Sequence, residues 1–224
     1  MRKIFLIYVM ILPALPGIAG SQELIPYNSG GKWGYAAPGG KLLIPARYDY
    51  AEPFSEGLAL VRDGAKYGFI DKAGKKTIPP RYQSAGSFSE GCAPAKARGF
   101  WGCVDKAGKT VVPFEYEELL PFREGAAPAK KDGRWGLLLK GEREFRGGVY
   151  EEIYPVSEGL ARVKVNGKYG YIELSGKEAL PPVYAEAFPF SGGFATARLG
   201  DKYGFISRKT LSFKERPYVS IGPY

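Results

Sequence analysis

At 224 residues the chain is long enough for one well-buried domain, and it carries 32 Lys and Arg against 23 Asp and Glu, a net charge of +9. It holds two cysteines and no histidine, which excludes Ser-His and Cys-His nucleophile pairs and histidine-based metal sites. The excess of cations favours anionic company: phospholipid or lipopolysaccharide surfaces, acidic glycans or acidic proteins.

The chain starts with Arg2 and Lys3, then an apolar run from Ile4 to Leu15 broken at Pro13, then small residues at Gly17, Ala19 and Gly20. That layout predicts a signal peptide over residues 1–20, with cleavage between Ala19 and Gln22. The run is short of the ~20 residues that cross a bilayer as a helix, and nothing later is apolar enough, so no transmembrane segment is expected after removal. No cysteine lies near the cleavage site, so a lipid anchor is not expected. Residues 21–224 then form the mature domain, secreted or periplasmic.

An aromatic residue followed by glycine recurs every 34 residues: Trp33-Gly34, Tyr67-Gly68, Trp101-Gly102, Trp135-Gly136, Tyr169-Gly170 and Tyr203-Gly204. The constant interval defines six repeat units over about 24–218. Each unit carries several Gly and Pro, and its apolar residues alternate with period two, so two helices per unit are excluded and the units are β. The clearest copy runs from Phe54 to Tyr82. Its Phe-Ser-Glu-Gly corner recurs at Phe88 to Gly91 and, with Arg123 for Ser, at Phe122 to Gly125. The corner is altered at Val156 to Gly159 and at Phe190 to Gly193.

Each unit reads as a three-stranded antiparallel meander. The first strand spans Leu58 to Arg62 and its copies, with alanine fixed at Ala59, Ala93, Ala127, Ala161 and Ala195. Proline at the variable sites Pro94 and Pro128 predicts a sheet edge there, because proline cannot donate to a ladder. A glycine turn such as Asp63-Gly64 or Asn166-Gly167 leads into the second strand, which holds the aromatic-glycine pair. That strand is apolar on both faces, which predicts cover on both sides, the aromatic as a core pin and the glycine admitting a neighbouring unit. A second turn, Asp71 to Lys75, precedes a third strand expected to end at Pro79. A closing tyrosine follows at Tyr48, Tyr82, Tyr116, Tyr150, Tyr184 and Tyr218. The fourth unit departs from the rest: Lys140 to Gly148 replaces the usual turn, and Gly147 stands where the others have proline.

Cys92 and Cys103 lie in one unit, eleven residues apart. Export permits a disulfide between them. On the hairpin they face each other directly or diagonally, and the direct register is the one expected to bring them within bonding reach. Both also occupy ordinary apolar positions of the repeat.

These residues resemble the WG-repeat (KWG-repeat) proteins of bacteria. The resemblance rests on Lys32-Trp33-Gly34-Tyr35, Pro79-Pro80 with Tyr82, and Phe54-Ser55-Glu56-Gly57-Leu58-Ala59, and it covers nearly the whole mature chain. It implies no shared catalytic residues, and the variable copy number of the family implies an open array. The fold expectation is therefore an all-β, open, curved, solenoid-like array of six meanders. A closed six-bladed propeller-like ring is the alternative, because six complete units also suffice to close.

On an array, a fixed position becomes a row along the surface. The last position of the first strand is basic throughout as Arg62, Lys96, Lys130, Lys164 and Arg198, and these five are the candidate partner-binding residues. Lys32, Lys66, Arg134, Lys168 and Lys202 form a second basic row, just before the aromatic. A row of Glu56, Glu90, Glu124 and Glu158 offers to neutralise them between units. Paired carboxylates at Glu117-Glu118 and Glu151-Glu152 read as solvated surface rather than acid and base. The expectation is an exported, non-enzymatic scaffold for a protein or anionic envelope polymer, with no cofactor, metal or nucleic acid. The alternative is a glycan or small-ligand module using aromatics at unit junctions, such as the Tyr48 series.

Overall fold

The computed structural model describes residues 23–142 and 145–216. The expected signal peptide and Tyr218 lie outside the described residues. Every element described is a strand, and the strands form six consecutive antiparallel sheets. Among the described residues the apolar clusters join each unit to the next and none joins the sixth to the first, so the array is open and solenoid-like rather than a closed ring. Apolar side chains are exposed at its two ends among the described residues: Ile25 in the first sheet is 42% exposed, and Phe194 in the last is 55% exposed.

The units hold one strand more than the sequence predicts. In the second unit a two-residue lead-in strand, Tyr50–Ala51, is followed by Leu58–Asp63, Lys66–Asp71 and Lys76–Tyr82, side by side in that order. Only the first unit lacks the lead-in strand among the described residues and keeps three strands. The lead-in strand pairs Tyr50 with Arg62 and Ala51 with Val61, so the first strand is no edge. Proline is tolerated there for a different reason. At the variable site the lead-in segment uses only the carbonyl, as when Gly86 N–H donates to Pro94 O at 2.9 Å, and a missing N–H costs no hydrogen bond.

The third strand runs past its prolines to the closing tyrosine, and this explains the glycine of each pair. Tyr67 lies opposite Tyr82 and Phe69 opposite Ile78, so the third strand has surplus residues between those pairings and arches over Gly68. A Cβ on Gly68 would sit 2.6 Å from Ile78 O, and one on Gly102 2.6 Å from Val112 O. The glycine therefore admits the backbone of its own unit, not that of a neighbour. Proline suits the arch because no ladder donor is needed there. In the fourth unit Gly147 and Gly148, both at positive φ, build a different arch, and the Phe145 ring covers Gly136.

The core lies between sheets, one apolar cluster per junction. The residue two after the aromatic of the pair faces the following unit and is fully buried at Tyr35, Phe69, Cys103, Leu137 and Tyr171. Its ring meets the corner phenylalanine of that unit: Tyr35 and Phe54 at 4.8 Å, Phe69 and Phe88 at 4.8 Å, Tyr171 and Phe190 at 5.0 Å between centroids. The fixed alanines face backwards. Ala59 and Val61 pack on Tyr35 and Tyr48 of the preceding sheet, and small side chains there leave room for its rings. The buried Tyr35 and Tyr171 hydroxyls donate to Glu52 O at 2.8 Å and Phe188 O at 2.6 Å.

Cys92 and Cys103 are joined in a disulfide, with Cα atoms 5.9 Å apart. Cys103 lies opposite Pro94, so Cys92 is diagonal to it. The expectation that only the direct register allows the bond does not hold. Cys92 sits at the bend closed by mutual Ser89 and Cys92 backbone hydrogen bonds, and the bend carries it towards Cys103.

Candidate partner-binding surface

Two ends of each unit are exposed and chemically distinct: the hairpin turn between first and second strands, and the Phe-Ser-Glu-Gly corner. At the corner, Ser55 and Leu58 exchange backbone hydrogen bonds around Glu56 and Gly57, at φ of 52° and 89°. That is a type I′ turn, whose first central position rarely suits a residue with a side chain. The glutamate side chain offsets the strain by reaching the next corner. Glu56 accepts Gly91 N–H at 2.9 Å, Glu90 accepts Gly125 N–H at 3.1 Å, and Glu158 accepts Gly193 N–H at 3.1 Å. Beside it the serine hydroxyl donates to the next corner's carbonyl, Ser55 to Phe88 O at 2.7 Å and Ser89 to Phe122 O at 2.6 Å.

The glutamate row is thus an inter-unit spine, and it does not neutralise the basic rows as expected; among the described residues Lys106 forms an ion pair with it, 3.2 Å from Glu56. The partners of the first-strand row stand on the lead-in strands instead. Lys130 pairs with Glu118 at 3.6 Å, Lys164 with Glu152 at 2.8 Å and Arg198 with Glu186 at 2.8 Å. The Lys164 bond, followed by one from the Tyr154 hydroxyl, holds the Glu152 carboxyl below the usual range, and the same ion pair raises Lys164.

The row is uneven. Opposite Arg62 the lead-in residue is Tyr50, and opposite Lys96 it is Ser84. Neither cation has a carboxylate within ion-pair distance among the described residues. Lys66 and Arg98 on the same two hairpin ends are exposed, as is Phe100 at 47%. Of the second row, Lys32 meets Asp49 at 2.5 Å and Lys202 meets Glu215 at 2.7 Å. The Lys32 bond, then the Gly64 N–H, lowers the Asp49 pKa.

The paired carboxylates have structural tasks. Glu117 accepts Gly133 N–H at 2.9 Å and Glu151 accepts Asn166 N–H at 2.8 Å, each closing a hairpin turn, while Glu118 and Glu152 hold lysines. Among the described residues no group of three or more metal-ligating side chains converges.

Both aromatic series depart from the expected burial. Tyr48, Tyr82, Tyr116 and Tyr184 are buried, which removes these four as ligand-facing rings; Tyr150 is half-buried and Tyr218 lies outside the described residues. Trp33, Tyr67, Trp101, Trp135 and Tyr169 are half-buried at the core margin rather than pinned inside it, and Tyr203 is exposed. Cations lie over several of these rings: Lys130 is 6.0 Å from the Trp135 centroid and Lys164 is 5.6 Å from that of Tyr169.

A three-stranded unit followed by five four-stranded units, the latter bonded corner to corner, defines an open β-repeat array. The WG containing repeat model matches residues 33–67, 67–99, 101–135, 148–169 and 169–203, and the chain belongs to the WG-repeat family. The unmatched stretch before residue 148 falls on the altered arch of the fourth unit. None of the curated proteins matches the chain in sequence. Among solved structures, a eukaryotic initiation factor superposes with a TM-score of 0.58 at 11% identity, over 90% of this chain and 64% of that one. PorZ, a surface component of the type-IX secretion system of Porphyromonas gingivalis, gives a TM-score of 0.41 at 12% identity over 89% of this chain. The extracellular domain of BT4673 from B. thetaiotaomicron gives 0.40 at 10% over 89%. The chain spans 32% of PorZ and 37% of the BT4673 chain. Among the described residues no helix is long and apolar enough to cross a membrane.

Proposed function

We propose that the protein is an exported, non-enzymatic scaffold, secreted or periplasmic, that binds an anionic macromolecule of the cell envelope or exterior. The observation that carries this reading is the unevenness of the first-strand basic row. Where the row faces glutamate, its charge is met within the fold. At Arg62 and Lys96 it faces tyrosine and serine. Arg62 donates to Gly64 O and feels the Asp49 carboxylate from beyond ion-pair distance, so among the described residues neither cation is held in an ion pair and both remain available to a partner. With Lys66, Arg98 and the exposed Phe100 ring, the hairpin ends of units two and three join cations to apolar surface, the mixture of a docking face.

The test is capture from the native envelope with a photocrosslinking amino acid in place of Phe100. An acidic protein or anionic polymer is the expected product. A basic or neutral product, or the same product from a probe at exposed Lys41 on the first unit, contradicts the reading.

A further inference from the structure

The glutamate spine is continuous, but the serine bonds beside it are interrupted once. At three junctions a serine hydroxyl bonds the next corner's carbonyl: Ser55, Ser89 and Ser157. At the fourth, Arg123 occupies the serine position, and a guanidinium replaces the hydroxyl that would meet the Val156 carbonyl. Val156 in turn stands where Phe54, Phe88, Phe122 and Phe190 fill the other corners. Both departures fall at one junction. In an array of identical spacing, such substitutions forgo a bond and a ring that its sister junctions keep.

A cleft of about 600 Å3 opens there, bounded by Glu90, Arg123, Glu124, Tyr154, Pro155 and Pro189. Arg123 is exposed, its backbone exchanges hydrogen bonds with Ala126, and its guanidinium has no hydrogen-bond or ion-pair partner among the described residues. Glu90 and Glu124 spend their oxygens on backbone N–H groups of the following corners, which fixes two negative charges beside it. The Tyr154 wall is held rigid: the Arg162 guanidinium stacks 3.7 Å from its ring centroid, and its hydroxyl donates to Glu152.

Two fixed carboxylates repel a uniform polyanion, while the guanidinium between them leaves a uniform polycation with one unmatched, repelled position. The arrangement matches a chain in which acid and base alternate, and a planar guanidinium favours a carboxylate over other acceptors. Tyrosine and two prolines supply the apolar wall that an extended peptide packs on. We propose that this cleft binds a peptide segment of a partner protein, whose carboxylate pairs with Arg123 and whose neighbouring ammonium groups meet Glu90 and Glu124. The site lies at the corner end of the strands, opposite the hairpin ends that carry Arg62 and Lys96.

The test is fluorescence anisotropy with labelled peptides of alternating Glu and Lys, of Glu alone and of Lys alone. The alternating peptide binds best to the wild type. Arg123→Ser, which installs the residue the other corners hold, weakens it by about tenfold or more while the melting temperature stays at or above that of the wild type. Arg123→Gln, which keeps length without charge, gives the same loss. R62E/K96E leaves this binding unchanged, which separates it from the hairpin-end surface. The inference is overturned if Arg123→Ser and Arg123→Gln bind as the wild type does, or if a uniformly charged peptide binds more tightly than the alternating one.

Discussion

Glu124 reaches from its own corner to the next, accepting the Gly159 N–H at 2.7 Å and the Glu158 N–H at 3.0 Å. The contact joins two residues 35 positions apart that occupy equivalent corners, so local turn chemistry becomes inter-unit adhesion. Its backbone φ of 49° would be strained for a residue that did nothing there. Replacing Glu124 by alanine removes two charge-assisted hydrogen bonds and keeps the strain, at a cost of about 1–2 kcal/mol. Glu124→Gly relieves the strain and costs about 0.5 kcal/mol less. Urea unfolding of the two variants at equal m-value reads the difference directly.

The arch over the paired glycine predicts a sharper effect. Gly68→Ala places a methyl 2.6 Å from Ile78 O, against backbone that has no room to yield, and destabilises by on the order of 3 kcal/mol. Gly133→Ala, in a turn with nothing within 4 Å and φ of 74°, costs about 1 kcal/mol. Thermal melts of the two variants, side by side, check the ranking.

The disulfide closes a short loop in the third unit. Its removal in C92A/C103A is expected to cost about 2–3 kcal/mol from loop entropy. Both sulfurs are buried, so mild reductant acts slowly on the native protein. A stability unchanged by the double substitution would show that packing alone holds the hairpin.

Alkaline pH attacks the core. Burial, ahead of all other causes, pushes the Tyr116 and Tyr171 hydroxyls up to about 12, and it raises Tyr35 further. In the unfolded chain these groups ionise near 10.0, so the native state holds its protons to higher pH than the unfolded state does. The resulting stability is complete below pH 10 and is lost as pH rises towards about 12. Tyrosinate absorbance and near-ultraviolet dichroism should change together over that window. A titration complete near pH 10 with dichroism retained would contradict the burial of these rings.

Much of the architecture was legible because repetition averages out local ambiguity. The constant spacing of Trp33, Tyr67 and Trp101 set the units, and Gly and Pro density set them as β. The lead-in strand leaves no mark in the sequence because Tyr50–Ala51 is two residues long, too short to show alternation. Both aromatic series depart from the expected burial for a related reason. The second strand is apolar on both sides of Tyr67, and periodicity does not say which side a partner covers; the bulge opposite Gly68 decides it. Pairing of Lys130, Lys164 and Arg198 with the lead-in glutamates depended on that same unread strand. The Arg123 cleft did leave a mark, a break in the Phe-Ser-Glu-Gly pattern, yet only the bonds made by Ser55, Ser89 and Ser157 show what the break forgoes.

The most direct measurement is salt-dependent capture of the envelope partner by the wild type and by two charge-reversed proteins. R62E/K96E is predicted to lose capture at low salt, and wild-type capture is predicted to fall as salt rises. K130E/K164E, whose lysines already face glutamate, should lose less capture than R62E/K96E at matched fold content. Capture by R62E/K96E equal to wild type at both low and high salt would contradict a partner site at the hairpin ends of units two and three.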